Sequence, residues 1–467
     1  MSGPLGSVYE RLVGGALYPL YESRLRGRGT FRYLAEAEAS QWLSPDEVRE
    51  LQMLKLRALL THAHATVPYY RDLFDSHGLK PDRVTRAADL AVLPPLTKAA
   101  VREQGDRLLS RAFRPGSLIV SATGGSTGEP MRFFYNRDSY ERRTATAMRG
   151  DRWAGWRLCG PEFYLWGAQL LPTSGLLRLK KQIHHAALRR VVVSSFNLTT
   201  ETVLQAVHQY RRQRPSVVIG YANALYEFSR FVIAEGLHLP SPEGVVSSAE
   251  KLYGYQRETI EEAFGAPVFN RYGCREVMMV SAECEAHDGL HVASDNVLME
   301  VVKSGQLCEP GELGEVYLTD LHNYGMPLIR YQVGDLAAWH GKDCPCGRGL
   351  PLMRVVEGRT LGLISTPSGR VVSGEFFPHL LKDFNFIRAY QVVQERPDHV
   401  TIRASLAGEP PTQQVRRLQG IVQEALGSDM DVTWEMGPQV VIEQGRKFKP
   451  VISHVPVNLG SRGTERS

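Results

Sequence analysis

Three short apolar runs, Phe163-Tyr-Leu-Trp166, Val191-Val-Val-Ser194 and Ser216-Val-Val-Ile-Gly220, recur with turn signals around them. Their length and their content of β-branched and aromatic residues predict buried strands. Between the second and third, Val203, Val207 and Tyr210 share one face of a helical pattern that stops at Arg214-Pro215. The residue before a proline disfavours the α region, which explains the stop. Such alternation predicts an α/β fold on a parallel, doubly wound sheet flanked by helices. Ligands of these sheets sit beyond the carboxyl ends of the strands. The predicted pocket therefore lies among Trp166, Gly167, Tyr221 and Ser247. Two aromatics there favour an apolar or aromatic ligand.

Toward the N-terminus, Ser44-Pro45-Asp46-Glu47 forms a capping box with proline at the first helical position. It predicts a helix whose inward face carries Val48, Leu51, Leu54, Ala58 and Leu59 and which fades at Val67-Pro68. Thr97, after the rigid turn Leu93-Pro-Pro-Leu96, is a candidate cap for the next helix. Ser117-Leu-Ile-Val-Ser121 then reads as a buried strand, followed by Ala122-Thr123-Gly124-Gly125-Ser126-Thr127-Gly128-Glu129-Pro130. Glycine permits positive φ and close backbone approach, so N–H groups and hydroxyls from Thr123 to Gly128 can surround an anion. No Lys-Ser/Thr pair closes the run, so it is not a Walker loop. The basic helical stretch Gly175 to His185, continuing to Arg189-Arg190, suits either a solvated face or contact with a membrane surface or acidic ligand.

The 467 residues exceed one ordinary core. A 43% hydrophobic and 22% charged composition is that of a globular protein. A net charge of +5 is too mild and scattered for nucleic acid. No apolar run reaches membrane-spanning length and no signal-peptide core is evident. Six cysteines in a chain this long predict reduced thiols and a cytoplasmic protein. After about Gly358 the texture changes to short strands around a helix from Gln414 to Leu426, ended by Gly427. The predicted organisation is a large domain over residues 1–357, a small α+β domain over 358–460, and a polar tail over 461–467.

The order of motifs is more specific than any one of them. A Ser/Thr/Gly loop precedes Tyr272-Gly273-Cys274-Arg275-Glu276, then Arg330-Tyr331-Gln-Val-Gly334-Asp335, Gly358-Arg359 and Gly445-Arg446-Lys447-Phe448-Lys449. This order resembles the AMP-forming adenylating superfamily. Val67-Pro-Tyr-Tyr-Arg71, Leu93-Pro-Pro-Leu-Thr-Lys98, Ser248-Ala249-Glu250 and Cys346-Gly-Arg348 extend the resemblance to its phenylacetate–coenzyme A ligase-like branch. The resemblance spans roughly Val48 to Val455. It implies a large adenylate-forming domain with parallel sheets flanked by helices, plus a small mobile domain. It also implies activation of a carboxylic acid by ATP and Mg²⁺ to an acyl-AMP, then transfer to coenzyme A. An amine acceptor, or a degenerate nucleotide-binding interaction protein, are the alternatives. A homodimer stays open.

Within that resemblance, Thr123 to Gly128 would hold the outer phosphates, and Glu276 would bind Mg²⁺, which prefers oxygen ligands. Tyr272 would face adenine and Asp335 would accept from the ribose hydroxyls. Ser248, Ala249, Glu250, Asn270, Arg271, Gly273 and Arg359 would complete the nucleotide site. Lys447, with Lys449 as its rival, would be the catalytic cation, since a point charge placed at a negative transition state lowers the barrier. Two departures stand out: Thr360-Leu361 replaces the family's acidic pair after Gly-Arg, and the loop carries an extra small residue. Separately, Cys344 and Cys346, with Cys284 and either His287 or His291, have the donor types of a structural Zn²⁺ site.

Overall fold

The computed structural model describes residues 4–114, 116–122, 131–166, 175–194, 200–357, 364–368, 371–372, 376–381, 384, 386–437 and 451–455. In chain order the strands of the first half are β1 (Ile119–Ala122), β2 (Arg132–Tyr135), β3 (Glu162–Trp166), β4 (Arg190–Ser194), β5 (Val217–Tyr221), β6 (Gly244–Ser248) and β7 (Val268–Cys274). There follow β8 (Met278–Glu283), β9 (Leu290–Val292), β10 (Val297–Lys303), β11 (Gln306–Leu307), β12 (Gly314–Asp320), β13 (Tyr331–Trp339) and β14 (Leu352–Glu357). Twelve of these form one sheet in the order β11-β10-β12-β13-β14-β9-β8-β7-β6-β5-β3-β4. From β4 to β7 the neighbours are parallel, as the alternating pattern predicts. From β7 onward every pairing is antiparallel. The parallel expectation thus holds for four of the eleven pairings. Strands β8 to β14 follow one another without intervening helices, so hairpins replace crossovers.

Local signals hold with two corrections. Ser44 caps the helix Pro45–Thr66: its hydroxyl accepts the Glu47 N–H at 3.3 Å and its own N–H donates to Glu47 at 2.8 Å. The buried face, however, is Val48, Gln52, Leu56, Leu59, Leu60 and Ala63, and Leu54 is 60% exposed. Gln52 is buried because its amide donates to the carbonyls of Ser294 (3.1 Å) and Val297 (2.8 Å), an inward role that its polarity hides. The run Ser117–Ser121 is not a buried strand of the main sheet. It leads into β1, which among the described residues pairs only with β2, antiparallel and apart from the main sheet, and leaves Val120 51% exposed.

Past residue 363, the short pair β15 (Ile364–Ser365) and β16 (Val371–Val372) precedes β17 (Ile387–Arg396), β18 (His399–Leu406), β19 (Asp431–Gly437) and β20 (Val451–Ser453). The last four form a sheet in the order β19-β18-β17-β20, covered by the helix Thr412–Leu426. Leu418, Val422 and Leu426 point inward onto a cluster containing Phe376, Phe377, Val392 and Ile402. This cluster is distinct from those of the large sheet.

Two buried ion pairs hold a helix against the sheet, and a third ties Glu300 of β10 to the residue before β13. On the helix Arg137–Trp153, Arg143 meets Asp320 (Nε 3.1 Å) and Arg149 meets Asp295 (2.7 and 3.1 Å). Arg330, before β13, meets Glu300 at 3.1 and 3.2 Å and also donates to the Leu90 carbonyl. Removing one partner strands a buried charge and typically costs about 3–5 kcal/mol. Arg143→Ala should therefore lower the urea unfolding midpoint substantially, as followed by circular dichroism. An unchanged midpoint would refute the role given to the pair.

Candidate functional site

Strand register assembles the site. Leu165 of β3 lies beside Gly220 of β5, Gly220 beside Ser247 of β6, and Ser247 beside Asn270 of β7. One step further along each strand come Trp166, Tyr221, Ser248 and Arg271. Of the predicted pocket residues, Trp166, Tyr221 and Ser247 therefore share one edge, the carboxyl ends of the parallel strands. The Trp166 and Tyr221 rings sit 4.5 Å apart between centroids, tilted by 53°. The Arg271 guanidinium is 5.8 Å from the Trp166 ring and pairs with Asp151 at 2.6 Å. Ser247 is fully buried and its hydroxyl has no hydrogen-bond partner among the described residues. After β6, Ala249 takes φ +68° and turns the chain, so that Glu250 accepts the Asn223 N–H at 2.8 Å. That N–H lies in the first turn of the helix Ala222–Ala234, where a carboxylate is favoured.

Beyond Arg271, β7 carries the second half of the site. Tyr272 donates its hydroxyl to Asp335 of β13 at 2.8 Å. Tyr331 donates to Glu276 at 2.6 Å, and Glu276 is buried. The register of β7 against β8 shifts between Tyr272 and Gly273. A Cβ on Gly273 would stand 2.0 Å from the Met278 carbonyl oxygen, so glycine is required there. The bulge turns Cys274 to Glu276 back over the sheet edge. Arg275 then donates to the Ala122 carbonyl at 3.1 Å, fixing the end of β1 beside the Tyr-Gly motif. Burial, reinforced by the Asp335 charge, holds the Tyr272 phenol well above its usual pKa, so it stays a donor. Burial likewise pushes the Cys274 thiol up, with Glu276 adding to the effect; Cys274 is no nucleophile at neutral pH.

The structure thus brings together Trp166, Tyr221, Ser247, Ser248, Ala249, Glu250, Asn270, Arg271, Tyr272, Gly273, Glu276 and Asp335 along one edge and its adjoining strand. Thr123, Gly124, Gly125, Ser126, Thr127, Gly128, Gly167, Arg359, Lys447 and Lys449 lie outside the described residues. The sequence reading gave Tyr331 and Asp151 no role, although each holds a site residue. Tyr331 was already marked by its place in the Arg-Tyr-x-x-Gly-Asp run. Asp151 carries no signal of its own.

The second constellation assembles around one histidine. Ligand atoms of Cys284, His291, Cys344 and Cys346 all lie within 4.8 Å of one another. Cys284 Sγ and Cys344 Sγ are 3.6 Å apart, and Cys346 Sγ is 3.3 Å from His291 Nε2. Donors about 2.3 Å (sulfur) and 2.0–2.1 Å (nitrogen) from a tetrahedral Zn²⁺ stand about 3.5–3.8 Å apart, close to this spacing. His291 Nδ1 lies 2.8 Å from the Leu350 carbonyl, which selects Nε2 as the ligand atom. Backbone N–H groups of Ala286 and Arg348 point at Cys284 and Cys346 at 3.5 Å. Burial opposes the Cys346 thiolate, but the Arg348 N–H and side chain outweigh it and hold its pKa below that of an ordinary thiol. The donor set fits zinc. His287 is not part of it: its Nδ1 faces Glu283 at 3.2 Å and its ring packs on Phe269. The Cys-x-x-His spacing is misleading because His287 adopts φ +50° and leaves the cluster, whereas β9 delivers His291. Arg348 lies between the rings of Trp42 and Trp153, 4.8 Å from each, and pairs with Glu285.

No family model matches the chain. The chain is 29% identical over 363 residues to the phenylacetate–coenzyme A ligase of Thermus thermophilus, covering 76% of this chain and 80% of that one. It is 29% identical to the phenylacetate–coenzyme A ligase of Aromatoleum evansii, with 70% and 73% covered. The Escherichia coli protein of that name is also 29% identical, with 76% and 81% covered. Among solved structures, a 2-hydroxyisobutyryl-CoA ligase in its postadenylation state, complexed with 2-HIB-AMP, superposes with a TM-score of 0.67 over 89% of this chain and 91% of that one, at 20% identity. That likeness establishes the fold.

Proposed function

We propose that this chain, a homologue of the phenylacetate–coenzyme A ligases with the fold of the AMP-forming CoA ligases, activates a carboxylic acid with ATP and passes the acyl group to coenzyme A. The observation that carries the reading is the edge where Tyr272–Asp335 and Tyr331–Glu276 meet the ends of the parallel strands, in the motif order of that family. In the first step a carboxylate oxygen attacks the α-phosphorus of ATP, the bond to the β-phosphate breaks, and pyrophosphate leaves. In the second, the thiol of coenzyme A loses its proton, attacks the acyl carbon and expels AMP.

Each described residue has work suited to its surroundings. Asp335 gives one oxygen to the Tyr272 hydroxyl, and its other lone pairs can accept from ribose hydroxyls. The same bond orients the Tyr272 ring, whose face suits adenine. Glu276, oriented by the Tyr331 hydroxyl, would hold Mg²⁺, whose charge would offset that of the phosphates. Thr123 to Gly128 would cradle the outer phosphates from the end of β1, which Arg275 ties to the site. Trp166 and Tyr221, in contact with each other, would form one aromatic wall beside the acid, and the Ser247 hydroxyl has no partner among the described residues, so an aromatic acid suits the pocket best. Arg359 would reach the nucleotide. The unit beyond residue 357 would swing Lys447 to the α-phosphate for the first step and away for the second. Cys284, His291, Cys344 and Cys346 would hold a structural zinc that pins two loops and takes no part in the chemistry. None of the six cysteines is in a disulfide, which suits a reducing cytoplasm.

Pyrophosphate release measured across aromatic and aliphatic acids, with coenzyme A or small amines, tests the reading. Acid-dependent release with a thioester product is expected. Amide products alone would replace coenzyme A by an amine, and no release from ATP-binding protein would remove the enzymatic reading. Lys447→Ala should cut acyl-AMP formation by roughly 10²–10³-fold while ATP binding survives; full activity would transfer the role to Lys449. Elemental analysis of purified protein should find one zinc per chain, absent from Cys344→Ser/Cys346→Ser, which should also melt earlier. Metal-free protein of normal stability would refute the zinc site.

A further inference from the structure

The N-terminal helical stretch, Pro4 to Leu25, exposes more large apolar side chains than it buries. Its protein-facing flank mixes Val13, Tyr18 and Pro19 with polar groups. The Tyr9 hydroxyl donates to the Ala187 carbonyl at 2.8 Å, Glu10 pairs with Arg189 at 3.0 Å, and buried Glu22 pairs with Arg28 at 2.7 Å. Gly14 is buried where a Cβ would meet the Leu158 carbonyl oxygen, so the stretch is seated closely and not loosely appended. The outward flank instead carries Leu12, Leu17, Leu20 and Leu25, the last 78% exposed. The helix Gly175–Ala187, against which Tyr9 and Tyr18 rest, adds Leu179 and 61% exposed Ile183, one turn apart. Half of the exposed large hydrophobic side chains among the described residues fall in these two elements, so the patch is concentrated rather than scattered.

Charge says what covers it. Residues 4–28 hold four arginines and two glutamates, and both glutamates are spent on inward pairs. Residues 175–190 hold five Lys or Arg and no acid. Together these segments carry seven net positive charges against +5 for the whole chain, so the remainder is net negative. Arg11, Arg24, Arg26 and Lys180 are exposed, and among the described residues no carboxylate lies within ion-pair distance of them. Leucines interleaved with outward cations match an anionic bilayer surface, where the apolar side chains enter the interface and the cations meet headgroup phosphates. A two-fold contact between copies of the chain would set these cations against themselves. No described helix is long and apolar enough to cross a membrane, so the contact would be peripheral.

We infer that the Pro4–Leu25 stretch and the Gly175–Ala187 helix form a docking surface for an anionic membrane. Flotation of the full chain with phosphatidylcholine vesicles, and with vesicles also containing phosphatidylglycerol, tests it. The anionic vesicles should bind the protein at least about tenfold better, and 1 M salt should weaken that binding. Leu20→Glu/Ile183→Glu and Arg24→Glu/Lys180→Glu should each reduce binding by about tenfold or more, with unchanged melting temperature and unchanged acid-dependent pyrophosphate release in solution. Those controls separate this surface from the proposed chemistry. No vesicle binding, equal binding to both vesicle types, or a dimer that Leu20→Glu/Ile183→Glu dissociates without any vesicle binding would each overturn the inference.

Discussion

The strand β7 is the hinge of the architecture. One edge pairs in parallel with β6 and the other antiparallel with β8, so two sheet types that demand different connections share one backbone. The bulge at Gly273 lets the second pairing follow the first, and the Met278 carbonyl occupies the space that any side chain there would need. Met278 itself takes φ +73°, so both sides of the turn are conformationally demanding. Without this change of direction, Tyr272 and Glu276 would not both face β13, where Asp335 and Tyr331 wait for them.

Buried charge performs the next level of assembly. Arg143, Arg149 and Arg330 each meet a carboxylate in near-complete burial, and each spans a long sequence separation. Such pairs add little net stability over well-packed apolar residues, but they penalise misplacement heavily. The first two therefore specify how the helix Arg137–Trp153 lies on the sheet, and so where Asp151 meets Arg271. The segment Leu93–Lys98 is aligned similarly: the Leu96 N–H donates to the Arg330 carbonyl and the Leu96 carbonyl accepts from Gln332, each at 3.0 Å.

Much of this was legible in the sequence, for identifiable reasons. Runs such as Val217–Tyr221 read as strands because they are buried on both faces, and burial pattern is what sequence records best. The capping box at Ser44 is local chemistry and needs no tertiary knowledge. The antiparallel part of the sheet was not legible, since a buried run such as Val297–Lys303 looks the same whichever way its neighbour points. Leu54 and Gln52 exchanged places because Gln52 finds carbonyl acceptors more than two hundred residues away. The choice between His287 and His291 turned on one residue with positive φ, which spacing does not encode.

The bond from Arg275 to the Ala122 carbonyl joins the turn after β7 to the end of β1. Arg275 precedes Glu276, and Ala122 precedes the glycine-rich run. A displacement of either is therefore transmitted to the other across a single exposed contact. A hydrogen bond of this kind contributes about 0.5–1.5 kcal/mol, only one to three times thermal energy. It acts as a latch that holds the site together at rest yet opens cheaply.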